Sequence, residues 1–241
     1  MAQAKIRLYL DQPLAAGQPL HLSQAQAQYL FAVMRLGVGD KLLVFNGQQG
    51  EWLAEVAEAA KRGGVLSPIA QTAPQQDPPD LWLLFAPIKK ARTDFIVEKA
   101  TELGAARIVP VQTDFTNSER IRQDRLQAHA VEAAEQCGGT FVPEVAGLVP
   151  LSRLLDDWNP ARRILWADES RLGVAATLAG LGPGPWAVLV GPEGGFSAAE
   201  RARLAGLGFV TPVSLGPRIL RADTAACAAL TLWQAALGDW R

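Results

Sequence analysis

The sequence predicts an α/β protein in two parts, a small β-barrel followed by a larger domain built on a parallel sheet. Three observations carry this reading. The stretch "TAPQQDPPD", Thr72 to Asp80, is proline-rich and lacks apolar periodicity, so it reads as a linker. Before it, strand signals are short and closely spaced. After it, apolar strands alternate with helices, which is the pattern of a parallel sheet. The predicted boundaries are 1–72 for the barrel, 73–80 for the linker and 81–241 for the α/β domain.

In the first part, "IRLYL", "DKLLVFNG", "EWLAEVA" and "GGVLSPIA" are strand candidates, and a Gly-bounded turn in "VFNGQQGEWLAEV" joins two of them. "SQAQAQYLFAVMR" is a helix candidate with Ser23 as its N-cap. In the second part, "LWLLFAPI" is a fully apolar strand. It precedes the helix "KKARTDFIVEKATELG", which ends on Gly104. "ARIVPV" is the next strand. The long helix "ERIRQDRLQAHAVEAAEQC" closes on Gly138 and Gly139. "RRILWADE", "WAVLVG" and "FVTPVSLG" are further strands, with helices expected near 171–181, 197–207 and 223–237.

Composition narrows the function. The chain has 23 basic against 24 acidic residues, so any nucleic-acid contact must be a local patch rather than a global basic field. Two cysteines (Cys137, Cys227) and two histidines (His21, His129) fit no metal spacing and no disulfide framework, and no metal is expected. The start "MAQAKIRLYLDQ" lacks the apolar stretch of a signal peptide and no run reaches membrane-span length, so a cytoplasmic setting is expected.

Two stiff strand-to-helix junctions stand out, "LVGPEGGFSAAE" and "SLGPRILRADTAA". Open parallel sheets bind ligands beyond the carboxyl ends of their strands. Glycines there let a ligand approach the backbone and leave N–H groups free to donate. Ser197 caps the helix after the first junction, and Asp223 or Thr224 is expected to cap the helix after the second. The plain alternative is a pair of tight turns. The concentration of Glu193, Arg218 and Arg221 beside them argues for a site. No phosphate-binding G-x-x-x-x-G-K-[ST] loop and no G-x-S-x-G elbow occurs. Gly182 to Ala187 matches G-x-G-x-x-A formally, but it precedes a strand and contains two prolines, so it is no dinucleotide fingerprint.

"GPEGGFSAAE" followed by "SLGPRILRADTAA" resembles the RsmE family of ribosomal RNA uridine-N3 methyltransferases, within the SPOUT superfamily. "RTDFIVEKATELGAARIVPV" and "EAAEQCGG…VPEV" are similar to two further signatures of that family, and "YL…HL…Q…VMRLGVGDKLLVFNG" is similar to its PUA-like barrel. The resemblance covers almost the whole chain. It implies a deep trefoil knot, S-adenosylmethionine as cofactor and a homodimer. It also implies a uridine of 16S ribosomal RNA in the 30S subunit as substrate. The methyl-donor site would take Leu189, Gly191, Pro192, Glu193, Gly194 and Gly195, then Ser214, Leu215, Gly216, Ile219 and Leu220, with Thr224 and Ala225 at the helix start. Two departures stand out. This chain reads "QCGGTFVP" where the family usually carries arginines, and "QTDFTNSER" brings none until Arg120.

Methylating N3 of uracil requires loss of the imide proton, because the neutral nitrogen has no free lone pair in the ring plane. Arg221 is the candidate for stabilising the developing oxyanion, and Glu193 or Asp223 for taking the proton. In the plain alternative, Asp223 is an N-cap paired with Arg221. Lys89, Lys90 and Arg92 oppose the macrodipole at a helix start, an oddity that an RNA phosphate would explain. Lys5, Arg7 and Arg35 in the barrel, and Arg120, Arg122 and Arg125, complete the RNA-binding candidates. Two rival functions remain at this level. One is a non-catalytic RNA-binding or assembly protein that retains the fold, and the other is a transfer RNA methyltransferase.

Overall fold

A computed structural model describes residues 6–117, 120–168, 178 and 180–240. Lys5 and most of the helix expected at 171–181 lie outside the described residues. The chain divides into two compact units. One runs to Asp77 and includes Ala134–Phe141, and the other comprises Pro78–Ala133 and Val142–Arg241.

The first unit holds a five-stranded sheet in the order β1-β3-β4-β5-β2. Its strands are β1 (Arg7–Tyr9), β2 (Leu20–Leu22), β3 (Lys41–Phe45), β4 (Glu51–Ala60) and β5 (Gly63–Ala73). β1 pairs with β3 in parallel and the other pairs are antiparallel. Two features differ from expectation. β2 was not legible because three residues, "LHL", show too short an alternation. β5 runs to Ala73, into the segment read as linker, because its partner Glu51 pairs that far along. The predicted helix exists, with Ser23 in a full capping box. It begins as α1 (Gln24–Ala27) and continues as a π-helix over Gln28–Val33. Arg35 follows at φ 60°, a left-handed backbone that is uncommon for a residue other than glycine.

The second unit holds a parallel sheet whose main path runs β12-β10-β11-β6-β7-β8, with β9 paired to β7. The strands are β6 (Leu81–Phe85), β7 (Arg107–Gln112), β8 (Glu144–Val145), β9 (Val149–Pro150), β10 (Arg163–Ala167), β11 (Trp186–Val190) and β12 (Val210–Val213). Helices α2 (Lys90–Glu102), α3 (Gln123–Cys137), α4 (Leu151–Asp156), α5 (Ala198–Gly206) and α6 (Ala222–Leu237) accompany them. Strand alternation sorts the core. Leu81, Leu83, Phe85, Ile108, Leu165 and Val188 pack with α2, α3 and α6. Leu84, Val109, Ile164, Trp166 and Leu189 pack with α4 and α5. Both sheet faces are therefore covered, as near-continuous apolar strands require.

Two helix starts need correction. α3 begins at Gln123, so Arg120 and Arg122 precede it rather than riding on it. α6 begins at Ala222 with Arg221 in the N-cap position and no side-chain cap. Asp223 instead lies in the first turn, where its Oδ1 accepts from the Thr224 N–H at 2.8 Å.

Candidate donor pocket and its basic rim

The carboxyl ends of β12, β10 and β11 lie side by side, and the loops leaving them enclose a pocket. Ala167 and Asp168 contribute from β10, Gly191 to Phe196 from β11, Leu215, Gly216, Arg218, Ile219 and Leu220 from β12, and Ala222 and Ala225 from α6. Of the residues expected there, Gly191, Pro192, Glu193, Gly194, Gly195, Leu215, Gly216, Ile219, Leu220 and Ala225 line it. Leu189 is buried in the core beneath. Ser214 is buried too and braces the wall: its hydroxyl donates to the Gly216 carbonyl (3.1 Å) and accepts from the Gly216 N–H (3.3 Å). Thr224 is exposed and does not line the pocket.

The two loops are stiff for identifiable reasons. A Cβ on Gly191 would lie 2.7 Å from the ring of Phe196, which is buried edge-on against Trp166 with centroids 5.8 Å apart. Gly216 sits at φ 116°, a backbone closed to other residues. Ser197 ends the first loop with a capping box: its Oγ accepts from the Glu200 N–H at 3.2 Å and Glu200 Oε2 accepts from the Ser197 N–H at 2.9 Å. The same Glu200 accepts from the Asp114 N–H at 2.9 Å, tying the loop after β7 to the start of α5.

Asp168 was not singled out from the sequence. It is 4% exposed, lines the pocket and receives Arg201 Nη1 at 2.7 Å. The available signal was a carboxylate ending the apolar run "ILWAD" on the ligand side of the sheet. The plain alternative, a pairing of Asp223 with Arg221, does not occur. Arg92 lies 3.8 Å from Glu193 and 3.8 Å from Asp223, while Arg221 is exposed and has no ion-pair partner among the described residues. Two of the three catalytic candidates therefore converge on a residue expected to face RNA.

Several cations of the second unit line two further recesses. Lys90, Arg120, Arg122 and Arg125 line one recess together with Ile88 and Ile121. Arg125 Nη2 donates to the buried Asp94 at 2.8 Å, with His129 beside the same carboxylate at 3.6 Å. Arg122 donates to Asp124 and holds that carboxyl down at about 2. Lys89 and Lys90 also border a cleft whose far side is Pro192 and Glu193, the start of the glycine loop.

In the first unit Arg35 is exposed. Arg7 is not available to RNA in this way. Its guanidinium donates to Glu51 at 2.8 Å, to the carbonyls of Ala134 (2.7 Å) and Glu135 (3.0 Å), and to that of Gly139 at 2.9 Å. It also stacks over Phe45. The altered "QCGGTF" stretch is thus occupied by the protein itself, since Thr140 Oγ1 likewise accepts from the Gln76 N–H at 3.0 Å.

A doubly covered parallel sheet with its pocket at the carboxyl strand ends defines an α/β enzyme scaffold, and comparison with known proteins specifies it. Residues 75–234 match the RNA methyltransferase domain model and residues 22–69 match the RNA methyltransferase PUA domain model. The ribosomal RNA small subunit methyltransferase E of Rickettsia conorii is 30% identical over 231 residues, covering 93% of each chain. That of Synechocystis is 32% identical, covering 87% of this chain and 70% of the relative. Among solved structures, the small subunit methyltransferase E of Neisseria gonorrhoeae bound to S-adenosyl methionine superposes with a TM-score of 0.89 at 27% identity, covering 98% and 99% of the two chains. A putative methyltransferase of Legionella pneumophila with bound cofactor gives 0.86 at 30% identity, covering 99% of this chain and all of that one. The chain belongs to the RNA methyltransferase family that includes these small subunit methyltransferase E proteins.

The pocket fits the methyl donor of that family. Its lining combines the apolar side chains of Leu215, Leu220 and Ala225 with the backbone of the glycine loop. Buried Asp168, paired with Arg201, forms part of the pocket wall. The chain is an S-adenosylmethionine-dependent RNA methyltransferase.

Proposed function

We propose that this enzyme methylates N3 of a specific uridine in 16S ribosomal RNA, acting on the assembled 30S particle as a cytoplasmic homodimer. The observation that carries the reading is continuity: the lysine-bordered cleft and the donor pocket share Pro192 and Glu193. A strand held by its phosphates along Lys89, Lys90, Arg120, Arg122 and Arg125 would deliver a base at the glycine loop. Arg35 on its left-handed turn, and Lys5, are the cations that the barrel would add. Phosphate contacts of this kind position the RNA, and the pocket then selects the base.

Bound there, S-adenosylmethionine supplies a methyl group as its bond to sulfur breaks, the electron pair staying on a sulfur that leaves neutral. The protein's own task is to remove the N3 proton and hold the base in line. Leu215 and Leu220 would exclude water, and the pinned Ser214–Gly216 turn would fix the donor's orientation.

Two features support a homodimer. Ile219 at the pocket mouth is 87% exposed, a poor state for a large apolar side chain. On α6, Thr224, Thr231 and Ala235 form an outward face without charge. The chain order supports a knotted crossover: after β12, at the far side of β10, the chain returns to pack α6 against α2 and β11.

The test is methyl transfer from labelled donor to 30S particles, protein-free 16S RNA and transfer RNA in parallel. Transfer to the particles above the other two is expected. Label in transfer RNA alone would overturn the substrate.

A further inference from the structure

Arg92 differs from the other ion-paired arginines of the second unit. Arg107, Arg122, Arg125, Arg162, Arg201 and Arg203 each place a guanidinium nitrogen 2.6–3.2 Å from a carboxylate oxygen, within hydrogen-bond distance. Arg92 lies between Glu193 and Asp223 at 3.8 Å from each, beyond hydrogen-bond reach of both. Its side chain makes no hydrogen bond among the described residues, although only 31% of it is exposed. Three segments are thus drawn together by charge: the start of α2, the glycine loop and the first turn of α6. The guanidinium is held in place, yet its donors remain unspent.

This arrangement complements the imide edge of uracil. The imide edge of uracil presents acceptor, donor and acceptor, at O2, N3–H and O4. A guanidinium N–H beside a carboxylate presents a donor next to an acceptor, the complement of N3–H with either carbonyl. Cytosine would set its N3 lone pair against the carboxylate, a like-sign contact that rejects it.

We propose that Arg92 is the catalytic residue that binds the uracil imide edge and stabilises the oxyanion formed there, the role expected of Arg221. This rests on the uridine-N3 reading above. The N3 proton passes to one of the two carboxylates, Glu193 or Asp223. Its bonding pair stays on the ring nitrogen, with the negative charge shared onto the carbonyl oxygen that faces Arg92. That nitrogen pair then takes up the methyl group. A fixed donor aimed at developing charge accelerates such a step about 10²–10³-fold.

The experiment compares wild type, R92A and R92K in single-turnover methylation of 30S particles across a pH series, with donor Kd measured by calorimetry and folding by thermal melting. For R92A the rate should fall about 10²–10³-fold while the donor Kd and the melting temperature hold. Its rate should keep rising to a higher pH than that of wild type, because the uracil anion has lost its stabiliser. Added guanidinium ion should restore part of the rate. R92K, which keeps the charge without the fork, should lie between the two. Undiminished R92A, loss of rate with an unshifted pH profile, or equal losses in rate and donor affinity would each overturn the assignment. The wild-type product separates the two readings: if it is not 3-methyluridine, the uridine-N3 reading falls and this assignment with it. If it is 3-methyluridine and R92A behaves as wild type, the Arg92 assignment alone falls.

Discussion

Gly191→Ala is the sharpest probe of how packing shapes the donor pocket. The backbone at Gly191 is not left-handed, so the cost is steric rather than conformational. The new methyl would lie 2.7 Å from Phe196 Cε2 and 3.1 Å from both Cδ2 and Cζ, closer than carbon atoms pack. Phe196 cannot simply swing aside, being 6% exposed and edge-on to Trp166. Overpacking of this kind costs about 1–3 kcal/mol. The reduced freedom of the unfolded chain returns about 0.4–1 kcal/mol of that. The net is destabilisation by about 1–2 kcal/mol, or a drop of roughly 2–8 °C in Tm for a unit of this size. Because Phe196 also lines the pocket, donor Kd should rise along with the loss of Tm. Calorimetric titration and thermal melting read both quantities. A double-mutant cycle with Phe196→Leu should show coupling of about 1 kcal/mol or more, since the smaller side chain vacates the space. Strictly additive effects, or an unchanged Kd with a lowered Tm, would refute the view that Phe196 transmits the clash to the pocket.

Other perturbations separate structural from chemical roles. Arg7→Ala should lower the Tm of the first unit strongly, by about 3–5 kcal/mol of stability, because it strands Glu51 (15% exposed) without its partner. Weakened RNA binding in an Arg7→Ala protein that melts normally would contradict this. Asp168→Asn removes a charge that is both buried and paired with Arg201, and should weaken donor binding by calorimetry by about 10-fold or more, for a loss of 1.5–3 kcal/mol. Cys227 should alkylate slowly at neutral pH: burial, then the Asp223 charge, push its thiol pKa up, and the thiolate is the reactive form. Iodoacetamide mapping by mass spectrometry should therefore label exposed Cys137 before Cys227, the gap narrowing as pH rises.

Much of this was legible in the sequence because it rests on local chemistry. The alternation of apolar strands with helices marks a parallel sheet, and Ser23 and Ser197 announce their helices through capping boxes that need only neighbouring residues. The glycine junctions locate the pocket for the same reason. What stayed hidden depends on partners far apart in the chain. Arg7 resembles a surface cation, but its ligands are Glu51 and three carbonyls between Ala134 and Gly139. Arg92 resembles part of a basic helix start, yet its position is set by Glu193 and Asp223, 101 and 131 residues later. Asp168 was hidden because a strand-end carboxylate has many roles until the fold buries it beside Arg201. The π-helical turn over Gln28–Val33 has no clear sequence mark either, since its apolar spacing fits an α-helix as well.

The most direct test of the central claim is the identity of the methylated nucleoside. Small subunits lacking the modification would be incubated with the enzyme and isotopically labelled donor, their RNA digested to nucleosides, and the labelled species resolved by mass spectrometry against standards. Label in 3-methyluridine at a single 16S position is the expected result. Label in a ribose-methylated or carbon-methylated uridine, or none from protein that binds the donor, would contradict the account.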